Sequence, residues 1–505
     1  MNDAVRRLSG ALAAAACAVI LMVPVNAVDA QSLEGPLSVP DVIRRVLEAD
    51  PAVINSRRAV DSARAQYDLT RAGVRPNLSV DVTPYSWDQR RVDTGITSQR
   101  IRTQSVGAGI SVQQSLPTSG QISAGVSNQT SIIDSDGTTI EQAPEASVSL
   151  RQPLMVNGRL ISTEVYNAGL RNAAIGVERS RVSDQLTVNG NIRQALGLYV
   201  QVASLRRSVD VLERTIDVLG RQRDSAEIDR QQGLISDNAL LALQVTLNNR
   251  RETLFDTRLR LVEAEQNLAR VLGLPSLQGV ELADNLGTLA VPSIPDVAAA
   301  ASDNPQVALQ ELAVEQTVQS GRLNDLQDRP SFQMNVRVAP VYPDSRDNPD
   351  SVASSFGDLF GDGADVEATV ALGLTIPVLT ARERSLRERV DELSRLQQEA
   401  SLTDTERSVA NQLQTLLTNR DFLERRVEIL QTDVEYEQQR VENERALLAA
   451  GATTELRLDE VELDLFSRRN ELWQVRAELY LNAVDIRAAL GEDLADLQEE
   501  GARDG

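Results

Sequence analysis

The chain repeats one helical pattern, and this internal duplication limits the folds that are open to it. The segments LNNRRETL (Leu247–Leu254) and LFSRRNEL (Leu465–Leu472) share Leu, Arg, Arg and Leu at the same spacing. They are 465 − 247 = 218 positions apart, and the match extends over 233–273 in the first copy and 451–491 in the second. A repeat of this length indicates one structural unit that is used twice.

A second set of matched positions lies upstream and has a different offset. Pro51 matches Pro305 and Arg75 matches Arg329, so both pairs are 305 − 51 = 254 positions apart. The first copy therefore carries about 254 − 218 = 36 residues in its middle that the second copy lacks. A chance resemblance between two Leu-rich helices would not keep matched positions at both ends of each copy.

Within each repeat the hydrophobic period changes along the chain. Alternating apolar residues predict strands at about 77–155 in the first repeat and 331–377 in the second. Apolar residues at seven-residue intervals then predict long helices at 158–272 and 382–490, with turns at 233 and 451. The seams of the later helices are Leu240, Leu247, Leu254, Leu261 and Leu268, and Leu458, Leu465, Leu472, Leu479 and Ile486.

We expect four strands from the first repeat and two from the second. The additional first-repeat hairpin, at about 105–132, has two possible places. It adds strands to the sheet, or it covers the sheet from outside. We place the first repeat at 31–275, the second repeat at 276–491 and an acidic C-terminal tail at 492–505.

The first 30 residues are interpreted as a secretory signal peptide, 1–30. Arg6 and Arg7 precede an apolar run, and small residues before Gln31 suit cleavage. Lipidation of Cys17 is the alternative, but the apolar run continues past this residue. No other apolar run reaches about 18 residues, so we expect an exported chain without a transmembrane helix.

The composition argues against most enzyme chemistry. The chain has no His, one Cys and a formal net charge of −22, and every basic residue is Arg. Beyond the signal peptide there is no imidazole base, no thiolate nucleophile and no Cys/His zinc site. The negative charge argues against nucleic acid, whose phosphates attract basic surfaces. We therefore expect no catalytic residues, no metal, no cofactor and no nucleic-acid partner.

Alternating strands in an exported chain without a transmembrane helix indicate an outer-membrane barrel, although a soluble sandwich carried on helices is the alternative. Unpaired strand edges are costly in lipid, and the strands of one chain cannot close a wide barrel. The edges must then pair with other copies in a ring, for which three copies suffice. We expect an α+β fold: a trimeric outer-membrane β-barrel continued by a long periplasmic α-helical barrel, with two tandem structural repeats per chain.

Several segments carry a resemblance to a known family. These are SVPDVIRRVLEADPAVINS near the start, QPLMVNGR after the strands, and the turns GLIS and GATT. The resemblance depends on their order along the chain together with the duplication. The chain resembles the outer membrane factor family typified by TolC. This resemblance implies the outer-membrane exit duct of a tripartite efflux pump or a type I secretion system. An exported trimeric coiled-coil structural or adhesin protein is the alternative.

The resemblance also implies partners and a location. A member of this family is a homotrimer in the cell outer membrane, in contact with outer-membrane lipid and with a large periplasmic extension. It works with a periplasmic membrane-fusion adaptor and an inner-membrane transporter of the RND or ABC type. A belt halfway along the tube would here draw on 275–295 and the C-terminal tail.

The resemblance assigns candidate site residues at the two helical turns. Gly233, Leu234, Gly451 and Ala452 occupy the positions of the tips that dock an adaptor, although these glycines could also simply cap the helices. Glu460 matches an acidic position of the periplasmic mouth, while Arg457 stands where a second acidic residue is typical. A lining of the mouth by these two residues is one interpretation, and a solvated pair on the outer surface is the other.

Overall fold

A computed structural model describes residues 36–498 of the chain, apart from a few short segments. The segments left out are 94–97, 135–136, 157–158, 284–285, 288, 293, 328–330, 342–364 and 377–380. The predicted signal peptide with Cys17 and the end of the acidic tail therefore lie outside the described residues, as does the predicted second-repeat strand boundary at 377.

The first repeat runs from two helices through a set of strands into two long helices. Its helices are α1 (Val39–Ala49), α2 (Pro51–Ala72), α3 (Glu164–Gln231) and α4 (Asp237–Val271). Its strands are β1 (Pro76–Asp93), β2 (Ser98–Ser115), β3 (Gln121–Asp134), β4 (Thr138–Val156) and the short β5 (Arg159–Leu160). Since α3 has 68 residues, it is about 100 Å long.

The second repeat follows the same order with fewer strands. Its elements are α5 (Val297–Ser302), α6 (Pro305–Gln327), β6 (Ser331–Pro340), β7 (Val366–Thr375), α7 (Ala381–Ala449) and α8 (Glu455–Ala489), followed by a 3-10 turn at Leu494–Asp496. The repeats even begin their second helices alike. Asp50 accepts a hydrogen bond from the backbone N–H of Ala52 at 2.7 Å, and Asn304 accepts one from Gln306 at 2.8 Å. Proline occupies the first helical position in both cases, where its missing N–H costs nothing.

The strands form one antiparallel sheet with the order β1-β2-β3-β4-β6-β7, and β5 pairs with β4. The two repeats join where β4 pairs with β6. The additional first-repeat hairpin is β2–β3, and it lies within the sheet between β1 and β4. This settles the open choice between an added pair of strands and an external cover. Strands β1 and β7 are the two edges of the sheet.

The sheet has an apolar face and a polar face, because side chains alternate along each strand. Val80 pairs with Ile110, and both are exposed although both are apolar. On the other face Ser79 and Ser111 pair, and their hydroxyl oxygens are 2.6 Å apart. The exposed apolar side chains of this face include Leu78, Val80, Val82, Val106, Ile110, Val112, Ile122, Val126, Val148, Val338, Val370, Leu372 and Leu374.

The long helices pack in pairs through the predicted seams. In the second repeat, Leu465 and Leu472 of α8 are buried against Leu423, Leu430 and other apolar residues of α7. In the first repeat Leu240, Leu247 and Leu254 of α4 are buried along the helix. Interlocking of apolar residues at seven-residue intervals is the packing of a coiled coil.

Candidate functional site: the helix tips and the contact between the repeats

The first helical turn, between α3 and α4, is closed by Gly233. Its φ is +78°, a left-handed conformation that costs other residues energy. The N–H of Gly233 donates to the carbonyl of Arg230 at 2.9 Å, and the N–H of Leu234 donates to Asp229 at 2.8 Å. These two bonds define a Schellman cap. The next helix then starts at Ser236, whose hydroxyl accepts from Ala239 N at 3.3 Å.

The second turn, between α7 and α8, has the same construction. Gly451 has a φ of +70°, and its N–H donates to Leu448 at 2.9 Å. The N–H of Ala452 donates to the carbonyl of Leu447 at 2.9 Å. Thr454 then caps α8 by accepting from Arg457 N at 3.3 Å. The glycines therefore do cap the long helices, and this capping leaves their docking role open.

Both turns present small or apolar surface. Leu234 is 69% exposed, and Gly233, Gly451 and Ala452 are exposed as well. A Cβ added at either glycine would meet no heavy atom within 4 Å. No described part of the chain fills this space, so the tips are sterically free to meet another surface. Docking of an adaptor there remains a prediction from the family resemblance.

Charged side chains link the two helices at the first tip. Arg230 donates to Glu227 at 2.7 Å within α3 and to Asp237 of α4 at 3.3 Å across the turn. Hydrogen bonds from Arg230 and from Gln231 lower the pKa of the Glu227 carboxyl. The pKa of Arg230 is raised, mainly because of its hydrogen bond to Glu227. This pairing helps to fix the direction in which α4 leaves the turn.

The two candidate mouth residues form an ion pair near the second tip. Arg457 Nη1 lies 2.7 Å from Glu460 Oε2, one turn away along α8. The other carboxylate oxygen, Oε1, accepts a hydrogen bond from Gln222 Nε2 of α3 at 2.6 Å. Glu460 therefore connects the two repeats close to their tips. Its connection to Gln222 could not be read from the sequence, because the sequence does not tell which helices are neighbours.

Three arginines of α3 contact α8 at intervals of seven residues. The guanidinium of Arg207 lies over the Trp473 ring, 4.6 Å from its centroid, and that of Arg214 lies over the Phe466 ring at 4.1 Å. The third, Arg221, pairs with Asp459. The partners also recur every seven residues, in reverse order because the two helices are antiparallel. We call these three contacts the arginine ladder. The seven-residue spacing of the three arginines is visible in the sequence and could have indicated this contact.

Farther from the tips, segments that connect the helices are bound to α3 and α4. Arg206 of α3 donates to Glu265 of α4 at 2.6 Å and to the carbonyl of Val280 at 2.6 Å. The hydroxyl of the fully buried Tyr199 lies within hydrogen-bond distance of the carbonyls of Leu37 and Ala283, at 3.1 and 3.0 Å. These contacts hold part of the predicted belt segment, 275–295, against the rods.

The C-terminal tail is bound at the same level. Asn189 is 4% exposed, and its amide donates to the carbonyl of Glu492 at 2.9 Å. Its carbonyl oxygen accepts from the N–H of Leu494 at 3.0 Å. The described part of the tail therefore packs on α3 and is a fixed part of the fold. Asn189 is a polar residue within an otherwise apolar seam. Such a buried amide needs a hydrogen-bond partner, but the sequence could not show which residue that partner is.

The described residues offer neither a metal centre nor a membrane-spanning helix. No group of three or more His, Cys, Asp or Glu side chains there is arranged to hold a metal ion. Among the helices of the described ranges, none is both long and apolar enough to cross a membrane.

Comparisons with known proteins agree with this arrangement. Residues 297–492 match the outer membrane efflux protein family model, whereas no curated protein matches the chain by sequence. The chain is similar to the solved structure of CusC, with a TM-score of 0.59 and 17% identity over 90% of this chain and 92% of CusC.

Two further solved structures are outer membrane channels. The CmeC channel of Campylobacter jejuni has a TM-score of 0.62 and 11% identity, over 92% of this chain and 88% of that one. The MtrE channel of Neisseria gonorrhoeae has a TM-score of 0.60 and 15% identity, over 90% and 89%. At these identities the neighbours show the fold, and the sequence match extends from α5 to the end of α8. Residues 297–492, which span the second repeat, are therefore similar to the outer membrane efflux protein family.

Proposed function

We infer that the chain is an outer-membrane duct of an efflux system, with its sheet in the membrane and its rods in the periplasm. The observation that carries this inference is the combination of a two-faced sheet with two helices, α3 and α7, that are each about 100 Å long. A sheet that exposes an apolar face is unstable in water, and lipid is the solvent that suits it. The family match supports the same conclusion independently.

The duct is proposed to be a homotrimer, because the sheet of one chain is open at both edges. Among the described strands, β1 and β7 each have a neighbour on one side only, and unpaired backbone groups are costly in lipid. Pairing β7 of one copy with β1 of the next gives a closed ring without edges. Three copies of the six-strand path would give a barrel of 3 × 6 = 18 strands.

The polar face of the sheet suits the wall of a water-filled lumen. Serine hydroxyls face each other in the pairs Ser79–Ser111 and Ser123–Ser149, each at 2.6 Å. Arg337 and Glu145 also pair on this face, with their closest atoms 2.5 Å apart. A small-residue, hydrated wall lets polar cargo pass without a deep binding pocket, and we therefore propose passive conduction and no catalysis.

The partners are proposed from the family. The tips at Gly233 and Gly451 would dock a periplasmic membrane-fusion adaptor, and an inner-membrane transporter of the RND or ABC type would supply the cargo. Both tips expose unfilled surface, which supports a docking role for them. The alternative of a coiled-coil structural or adhesin protein lacks support from the family match and the structural neighbours.

Reconstitution tests this proposal directly. The mature protein, purified in detergent, would be added to planar lipid bilayers and its single-channel currents recorded. We expect discrete conductance steps from a protein that fractionates with the outer membrane. A protein that remains soluble without detergent and gives no channel steps would contradict the proposal.

A further inference from the structure

We propose that neighbouring copies of the chain meet in the same residue register that the two repeats use within one chain, so that Phe255 of one copy stacks on Arg425 of the next. This inference rests on the proposed ring of copies and specifies its interface. The occupant of the open helix face and of the open sheet edge is in both cases a second copy of this chain.

The long helices of the two repeats are equivalent in sequence. Helices α3 and α4 correspond to α7 and α8 with a constant offset, because the tips differ by 451 − 233 = 218. The seam keeps this offset: Leu205 corresponds to Leu423 and Leu212 to Leu430. Within the chain, α3 of the first repeat contacts α8 of the second. Repetition of this contact around a ring places α7 of one copy against α4 of the next.

The arginine ladder is the template for the proposed contact. Adding 218 to Arg207 gives Arg425 of α7, and subtracting 218 from Trp473 gives Phe255 of α4. The equivalent pair is thus again an arginine and an aromatic residue. Within the chain Arg207 covers the Trp473 ring, whereas Phe255 is 68% exposed and Arg425 is also exposed. A large exposed aromatic ring beside a rod is typical of an interface.

Neighbouring positions follow the same rule. Ala477 of α8 is fully buried and Val218 of α3 is 6% exposed, both within the chain. Their equivalents, Leu259 of α4 and Tyr436 of α7, are 61% exposed. The helix faces that are buried where the two repeats meet are therefore exposed and apolar at the equivalent positions of α4 and α7. The other exposed apolar residues of these faces are Leu241, Val245, Val262, Phe422 and Ile429.

The sheet edges give an independent register. The segments EASVSL (145–150) and EATVAL (367–372) align β4 with β7 at an offset of 222, while Pro76 and Pro330 align β1 with β6 at an offset of 254. Leu150 pairs with Val336 where the repeats join. The equivalent pair between copies is Leu372 with Val82.

This strand register is consistent with the two faces of the sheet. Leu372 and Val82 are both exposed and both lie on the apolar face. A slip of one residue would place an apolar side chain beside a polar one along the whole edge. The register of the helix contact and the register of the strand contact come from separate sequence matches. Both registers place chemically similar residues opposite each other.

Cysteine cross-linking tests the register in the full mature chain. Cys17 is the only cysteine and lies in the predicted signal peptide, so introduced thiols are the only ones present. The double variant Phe255→Cys/Arg425→Cys would be treated with a short bis-thiosulfonate reagent, and Val82→Cys/Leu372→Cys would be oxidised to a disulfide. We expect loss of the monomer band on denaturing gels in favour of covalent dimers and trimers in both cases.

Matched controls make the result specific. Phe255→Cys/Thr432→Cys moves one thiol by two helical turns on the same rod, and Phe255→Cys alone tests a two-fold contact between like faces. Cross-links in either control, or none in both matched pairs while native mass spectrometry shows a trimer, would overturn the register and leave the duct intact. A protein that is monomeric in native mass spectrometry would contradict the proposed function as well.

Discussion

Arg207 of the first repeat lies over the indole ring of Trp473 of the second, with its guanidinium carbon 4.6 Å from the ring centroid. Arg214 and Phe466 repeat the contact one heptad away, at 4.1 Å. These contacts connect rods that are separated by hundreds of residues in sequence. They show that the two repeats are joined along their lengths by side chains as well as through the sheet.

Replacement of Arg207 and Arg214 together by Gln should lower the thermal stability of the assembled protein. Each contact of an exposed guanidinium with an aromatic face contributes about 0.5–1 kcal/mol. We expect a lower midpoint of helix loss, measured by circular dichroism on heating. Arg223→Gln is the matched control, because Arg223 pairs with the adjacent Asp224. An equal shift in the control would show that the ladder contributes nothing specific.

Glycines with positive φ end the long helices, and their surroundings predict two different phenotypes. A Cβ at Gly451 would meet nothing within 4 Å, whereas a Cβ at Gly491 would come within 2.5 Å of the Asp303 carbonyl oxygen. Gly451→Trp should therefore abolish export while the trimer remains, since the left-handed conformation alone costs about 1 kcal/mol. Gly491→Ala should instead reduce folded protein, because backbone must move.

Export assays with an efflux substrate and trimer yield on native gels would separate these outcomes. Gly451→Asn is the control for backbone strain, since asparagine tolerates the left-handed region better than other residues. Loss of folding in Gly451→Trp, rather than loss of export, would contradict the docking assignment of the tip.

Removal of the β2–β3 hairpin should narrow the barrel. Without 98–134, β1 would pair directly with β4, as β6 pairs with β7 in the second repeat. Barrel diameter grows roughly linearly with strand number, so a change from six to four strands per copy should reduce it by about one third. End-on class averages in electron microscopy measure this diameter. An unchanged diameter in an intact trimer would show that the hairpin is not part of the wall.

Glu460 and Arg457 allow a test of the periplasmic mouth. If their pair lines the mouth, Glu460→Gln should lower cation selectivity in planar bilayers because a negative charge is lost from a narrow passage. Arg457→Gln should raise cation selectivity, since it leaves the carboxylate of Glu460 without its ion-pair partner. Unchanged conductance and selectivity in both variants would place the pair on the outside of the tube.

The repeat itself explains which parts could be predicted from the sequence. Leu240, Leu247 and Leu465 recur at intervals that only a buried helical seam requires, and all three are buried. Gly233 and Gly451 interrupt that period, and the rods turn there. Each of these features is local, because spacing along one helix determines which side is apolar.

Contacts between distant segments could not be predicted in the same way. Alternation in Ile110 and Val126 indicates strands but does not tell which strands they join, so the place of the β2–β3 hairpin stayed open. The bond between Asn189 and Leu494 joins positions 494 − 189 = 305 apart, and no local pattern in either segment identifies the other. Residue spacing predicts the type of a helix or strand and its apolar side. It does not predict which elements lie next to each other in the fold, and the structure is needed for that.

The number of copies in the detergent-solubilised particle tests the central claim most directly. Native mass spectrometry of the mature protein should give one dominant species of three chains, because six strands with two open edges cannot close alone in lipid. A folded, stable monomer in detergent, with its helices and sheet intact by circular dichroism, would contradict the account of this chain as one third of a membrane duct.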